Sequence, residues 1–104
     1  MAIVGMVKKQ PGETVPYAIE YANKLPPGSS LSSVDLSAEE YETGEDVTAT
    51  FLESDTANLS GTLATAIAKA GVSGVIYKIT FLATLDAGPP YVLEDEILVR
   101  VKEV

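Results

Sequence analysis

Hydrophobic and polar side chains alternate along several stretches of the chain, which is typical of β-strands with one buried face. The longest alternation covers residues 75–85, and a second covers residues 91–104. Between them the Asp-Ala-Gly-Pro-Pro sequence of residues 86–90 predicts a turn. We expect the two strands to form a β-hairpin that supplies the centre of the core. The predicted inward side chains are those of Val75, Tyr77, Ile79, Phe81, Ala83, Leu85, Ile97, Val99 and Val101.

Residues 14–21 alternate in the same way and predict a further strand. Its inward face would carry Val15, Tyr17, Ile19 and Tyr21. Pro16 has no amide proton to donate to a neighbouring strand, so this strand is expected at the edge of a sheet.

The middle of the chain predicts shorter elements. Residues 31–36 indicate a short strand with Val34 and Leu36 facing inward, and residues 47–52 indicate another strand. Residues 37–46 carry five acidic side chains, which favour a solvated acidic loop. A single helical turn is the alternative, because Ser37 and Glu40 have capping-box spacing.

Residues 60–71 fit two structures. As a helix they would begin with the N-cap Ser60 and end before Gly71, and four alanines favour this state. As a strand, Leu63, Thr65 and Ile67 would alternate with alanines. Ten residues make a marginal helix without tertiary support, and both neighbouring segments are predicted strands, so the strand is favoured.

About seven short strands separated by turns predict an all-β fold, specifically an immunoglobulin-like β-sandwich of about seven antiparallel strands. The domain is expected over residues 11–104, after a flexible N-terminal segment at residues 1–10. Tyr77 follows Gly74 by three residues, where such sandwiches place a tyrosine whose hydroxyl bonds to backbone upstream. The alternative is that Tyr77 is an ordinary core aromatic.

Composition narrows the chemistry. The 104 residues suffice for one domain, and the net charge of −8 argues against nucleic-acid and membrane partners. The chain has no Cys, His or Trp, which excludes disulfides, Cys or His nucleophile–base pairs and ordinary zinc sites.

Acidic residues are the remaining candidates for a site. Glu94 and Glu96 would share one strand face, with Asp95 opposite, and such a pair is expected to be a solvated face that limits edge pairing. Calcium is the alternative, bound by the acidic loop Glu39–Asp46 together with Asp55 or Asp86, but no spaced ligand motif is present. We therefore expect no catalytic, cofactor-binding or metal-binding residues.

The N-terminal segment places its apolar residues before Lys8 and Lys9, which is the reverse of a secretory signal. Synthesis and folding in the cytoplasm are therefore expected. Residues 1–10 could add a strand to a neighbouring protein or dock on an acidic partner, or could simply be frayed.

Two blocks of sequence resemble a known family. The first is Lys9-Gln-Pro-Gly-Glu13, Tyr17-Ala-Ile-Glu-Tyr21 and Leu25-Pro-Pro-Gly-Ser29; the second runs from Ala66 to Thr80 and precedes a final strand ending Val99-Arg-Val101. Together they resemble the small Ig-like structural proteins of tailed phages and prophages called fiber-tail adaptor proteins. The chain departs from that pattern at Glu20, Tyr21 and Ala70, where the family favours Asp, Trp and Gly.

This resemblance implies a non-enzymatic virion protein, a tail, head–tail or fiber adaptor subunit that acts through protein–protein contacts. Its partners would be other phage structural proteins and copies of itself. It would reside in the bacterial cytoplasm during assembly and then in the virion. The alternative function is an Ig-like binding or adhesion module of a secreted or surface protein.

Overall fold

The computed structural model describes residues 2–25, 29–86 and 92–103, with side chains in the first strand described from Gly5 onward. Within these ranges the chain is all-β, with seven strands and one helical turn. The elements are β1 (Ala2–Lys9), β2 (Val15–Glu20), β3 (Ser30–Glu40), α1 (Thr48–Phe51), β4 (Asn58–Ser60), β5 (Leu63–Ala68), β6 (Ile76–Asp86) and β7 (Val92–Val101).

Four strands form the first sheet, in the order β1-β7-β6-β3. The β6–β7 and β6–β3 pairs are antiparallel, and Phe81 lies opposite Leu36 on one side and Asp95 on the other. β1 pairs with β7 in parallel, from Ala2 opposite Asp95 to Lys9 opposite Val101. The strands are therefore not all antiparallel, and most of the segment 1–10, expected as a flexible extension, lies in the sheet as β1.

The second sheet has the order β2-β5-β4. β2 lies at its edge, as Pro16 predicts, with Pro16 opposite Ile67. β4 and β5 occupy most of residues 58–68, which confirms the strand structure favoured for residues 60–71. Ala64, Ala66 and Ala68 of β5 are fully buried, so that their small side chains form one face of the core.

The core lies between the two sheets, and its faces agree with the alternation in the sequence. Along β6 each odd-numbered residue from Tyr77 to Leu85 is buried, and along β7 Ile97, Val99 and Val101 are buried. Ile19, Tyr21, Val34 and Leu36 are also buried, as predicted. The predicted turn at residues 86–90 falls mostly outside the described residues; Asp86 ends β6.

Two predictions for the middle of the chain are wrong. Residues 37–40, expected in a loop, extend β3, because Ser37 to Glu40 pair with Thr80 to Tyr77. Residues 47–52, expected as a strand, contain the helical turn α1, with Phe51 and Leu52 both buried although they are adjacent in sequence. Asp46 favours this turn because its carboxylate accepts hydrogen bonds from the Thr48 amide, at 2.9 Å, and hydroxyl, at 2.7 Å.

Candidate interaction surfaces

The acidic stretch of β7 is not the solvated face that the sequence predicts. Glu94 is exposed, but Asp95 and Glu96 are only 6% and 3% exposed. Asp95 lies on the core side, opposite Phe81. The prediction fails because these side chains have partners on other elements, which a strand-by-strand reading does not reveal.

Glu96 belongs to an ion group on the outer face of the first sheet. Lys78 Nζ lies 3.0 Å from Glu39 Oε1 and 3.2 Å from Glu96 Oε2. The Lys78 ammonium donates to the carboxylates of Glu39 and Glu96, and these bonds, that to Glu39 first, raise the pKa of Lys78. Lys78 therefore stays charged at neutral pH and links the strands on both sides of β6.

Residues 39–46, with Asp55 or Asp86, are the alternative calcium ligands that the sequence offers. Within the described ranges no three Asp, Glu, His or Cys side chains are grouped so that they could hold a metal ion. Glu39 is instead paired with Lys78, and Asp46 bonds to Thr48, whose amide is the main reason that the pKa of Asp46 is lowered.

Lys9 is a buried lysine at the end of β1. Its side chain is directed between the sheets, and its Nζ donates to the backbone carbonyls of Ala70, at 2.5 Å, and Gln10, at 2.9 Å. Burial lowers the pKa of Lys9, and the nearby Glu13 opposes that shift. The ammonium group thus ties the first strand to the loop that precedes β6.

Replacing Lys9 with methionine is expected to cost about 1–3 kcal/mol of unfolding free energy, because the Ala70 carbonyl then loses its donor. The check is urea denaturation beside the variant Lys8→Met. Lys8 is exposed, so that control is expected to stay within about 0.5 kcal/mol of the wild type. Equal stability of the two variants would contradict a structural role for the Lys9 ammonium.

The loop before β6 forms a compact corner around Tyr77. The Val72 amide donates to the Tyr77 hydroxyl at 2.9 Å, which is the upstream backbone bond predicted from the sequence. The Tyr77 ring stacks on Phe51, with centroids 4.2 Å apart and planes at 11°. Gly71 has φ +103° and fits closely against Phe51 and Val101. This corner holds α1 against the end of the sheet.

Tyr21 is fully buried next to Asp95, and its hydroxyl has no hydrogen-bond partner among the described residues. Burial, and then the charge of Asp95, raises the pKa of Tyr21 to about 12. Lys24 Nζ lies 4.0 Å from Asp95.

Tyr21 is therefore expected to ionise near pH 12 in an ultraviolet absorbance titration, and Tyr21→Phe to lack that step. The unfolded chain ionises this phenol near its ordinary pKa of 10. The stabilisation that the buried, neutral Tyr21 phenol gives to the folded state is therefore complete below pH 10. It is lost as the pH rises through about 12. Identical titration curves, per tyrosine, for the wild type and Tyr21→Phe would contradict this assignment.

The two lateral sides of the protein differ in how they are closed. On the side that we call the closed side, residues 45–57 bond to both sheets. Val47 and Ala57 donate to the β3 carbonyls of Ala38 and Val34, and the Glu53 amide donates to the Ile67 carbonyl of β5. On the opposite, open side, β1 and β2 are the edge strands, and the Tyr17 hydroxyl donates to the Lys8 carbonyl at 3.2 Å.

The open and closed sides also differ in charge. Lys8, Arg100 and Lys102, here called the basic edge, are exposed beside a groove of about 460 Å³ on the open side. Glu13 and Glu103 also line this groove. The closed side carries the acidic edge, formed by the exposed residues Glu42, Glu45, Asp46, Glu53 and Asp55. Between Asp35 and Asp55 the sequence has eight acidic residues and no lysine or arginine.

A family model described as "Podophage GP4 fiber-tail adaptor protein gp77" matches residues 9–100. The chain belongs to this family. The match extends from Lys9 to Arg100 and so includes strands β2 to β6, nearly all of β7 and the Tyr77 corner. Comparison with curated proteins gives no significant match, and neither does comparison with solved structures.

The chain is therefore a member of a family of phage structural proteins, the fiber-tail adaptors. Among the described residues there is no helix of the length and hydropathy needed to cross a membrane.

Ala70, at which the sequence departs from the family resemblance, has φ +56°, a conformation that glycine adopts more easily.

Proposed function

We propose that this protein is a non-enzymatic virion subunit that joins a fiber to the tail through protein–protein contacts. The observation that carries this proposal is the family match over residues 9–100. Its partners are other phage tail proteins and copies of itself, and it passes from the bacterial cytoplasm into the virion.

An immunoglobulin-like sandwich over residues 11–104, to whose first sheet β1 adds a further strand, is the fold proposed for this role. Two packed sheets and the bond from the Val72 amide to the Tyr77 hydroxyl support it. Such a body suits an adaptor, because a rigid core leaves its lateral sides and end loops available for different neighbours. The charge difference between the open and closed sides provides two unlike surfaces on one small subunit.

The test is made on the particle. Mass spectrometry of purified virions or induced prophage tails is expected to detect the protein, and deletion of its gene is expected to yield particles without fibers and with reduced infectivity. Restoring the gene in trans is the control. Normal, fibered and infectious particles without the protein would overturn the proposed function.

A further inference from the structure

A pocket of about 350 Å³, here called the corner pocket, lies at the corner around Tyr77. Its apolar walls include Val47 and Phe51 from the segment of α1 and Val72 from the loop before β6. Because Val47 directly follows Asp46, the pocket adjoins the acidic edge. Sites for whole small molecules usually have about 300–1,000 Å³, so a pocket at the lower end of that range suits a single side chain.

The apolar walls of the corner pocket are fixed before any ligand arrives. Phe51 stacks on Tyr77, the Val72 amide donates to the Tyr77 hydroxyl at 2.9 Å, and Gly71 fits closely against Phe51 and Val101. The side chain of Val72 is nevertheless 61% exposed at the rim. An apolar group that enters the pocket therefore covers Val72 without having to order the loop, and pre-organised sites of this kind bind at a lower entropic cost.

Glu40 supplies the charge of the corner pocket. It is half-buried at the end of β3, opposite Tyr77, and its backbone is held by bonds to Glu45 and Gly44. Its carboxylate accepts one long hydrogen bond, 3.4 Å from the Thr43 hydroxyl, and the ion pairs among the described residues do not include it. A half-buried carboxylate without a cation in contact favours a cationic ligand, because burial disfavours an unpaired charge.

The surroundings of the corner pocket also favour a cation. The eight acidic residues between Asp35 and Asp55 include Glu40 and the neighbouring positions of the acidic edge, and no lysine or arginine lies among them. Their combined field attracts positively charged groups to this end of the molecule and repels anions. The occupant must therefore combine an apolar stem with a positive head.

We propose that the corner pocket receives an arginine side chain from an exposed segment of another tail protein. The proposal rests on the proposed function, which requires the protein to hold a different chain. The guanidinium pairs with the Glu40 carboxylate through two parallel hydrogen bonds, and the methylene groups pack against Val47 and Val72. Arginine suits the site better than lysine, because its planar head matches a carboxylate and is more weakly hydrated.

A second copy of the chain is a poor source of this side chain. The sequence contains one arginine, Arg100, and it lies in β7, within a sheet and not on a loop that could enter a pocket. The arginine is therefore assigned to a different protein.

The first test is made in solution with a defined probe, the tripeptide acetyl-Gly-Arg-Gly-amide, added to the nitrogen-labelled full chain and followed by nuclear magnetic resonance. The amides of Thr50, Gly71 and Val72 are expected to shift and to saturate, with a Kd of order 1–10 mM for a single side chain. The same tripeptide with citrulline in place of arginine has the same shape without the charge, and it is expected to bind at least about tenfold more weakly.

Glu40→Gln is the decisive variant, because it removes the charge and keeps the size of the side chain. It is expected to bind the arginine probe at least about tenfold more weakly than the wild type. Glu42→Gln is the matched control: it makes the same change of charge two residues away, at an exposed position of the acidic edge, and is expected to stay within about twofold. If Glu40→Gln does not fold, the comparison of arginine with citrulline on the wild type still decides.

Three results in solution would overturn the proposal. One is equal binding of the arginine and citrulline probes. Another is equal weakening by Glu40→Gln and Glu42→Gln, which indicates diffuse attraction to the acidic edge. The third is a shift of the pocket amides with protein concentration alone, which indicates that a second copy fills the pocket.

The source of the arginine is tested on the particle. Glu40→Arg is expected to yield particles with fewer fibers and at least about tenfold lower infectivity, because two guanidinium groups then compete for one pocket, whereas Glu42→Arg is expected to assemble normally. Normal fibers on Glu40→Arg particles would overturn the assignment to another tail protein. The proposed function would still stand in that case, since deletion of the gene tests it separately.

Discussion

Replacing Phe81 with alanine is expected to remove about 3–5 kcal/mol from the free energy of unfolding, out of a total of about 5–15 kcal/mol for a domain of this size. Phe81 is fully buried in β6, an inner strand of the first sheet, opposite Leu36. Deleting its ring removes contacts with both sheets, and the flanking strands cannot close the cavity without breaking their pairing. Thermal and urea denaturation measure the loss.

The matched control for Phe81→Ala is Leu82→Ala, one residue further along the same strand. Leu82 lies on the outer face and is 37% exposed, so its truncation is expected to change stability by less than about 1 kcal/mol. Equal losses for the two variants would show that the core does not lie on the face that carries Phe81.

Gly71→Ala is expected to destabilise the protein by about 2–5 kcal/mol, because strain in the backbone and overpacking add together. The residue has φ +103°, and a Cβ there would lie 2.9 Å from Val101 Cγ2 and 3.2 Å from Phe51 Cε1. Val101 is buried and β-branched, so it has little freedom to move away. The stack of Phe51 on Tyr77 would be displaced as well.

Gly74→Ala separates these two causes. Gly74 has φ +93° in the same loop, but a Cβ at this position meets nothing within 4 Å. Its cost is therefore the backbone term alone, about 1–2 kcal/mol. If Gly74→Ala is as damaging as Gly71→Ala in thermal denaturation, the close packing at Gly71 is not important for stability.

Much of the fold follows from local sequence because alternation is a property of single strands. In β6 each buried residue is followed by one that is more exposed, and the same alternation over residues 14–21 identifies Ile19 and Tyr21 as core residues. Residues 60–71 required a further argument, from helix length and neighbouring strands, because their alanines are compatible with both structures.

The sequence was misleading where particular hydrogen bonds or ion pairs, and not alternation, decide the structure. Val47, Ala49 and Phe51 alternate like a strand, yet the bonds from Thr48 to Asp46 favour a helical turn. Glu96 is buried because Lys78 reaches it from the neighbouring strand, and Lys9 because carbonyls of distant residues surround its ammonium. Neither contact leaves a periodic signal in the sequence.

The parallel pairing of β1 with β7 has a consequence for the order of folding. β7 lies between β1 and β6, so the first strand of the chain has no place in the sheet until the last strand has docked. During synthesis β1 therefore waits unpaired until the ribosome has released β7. Closing so long a loop is slow, and domains dominated by such distant strand pairs fold in milliseconds to seconds. The bond from the Lys9 ammonium to the Ala70 carbonyl therefore forms late in folding. Incomplete chains that lack β7 are left with an unpaired β1, which is free to aggregate.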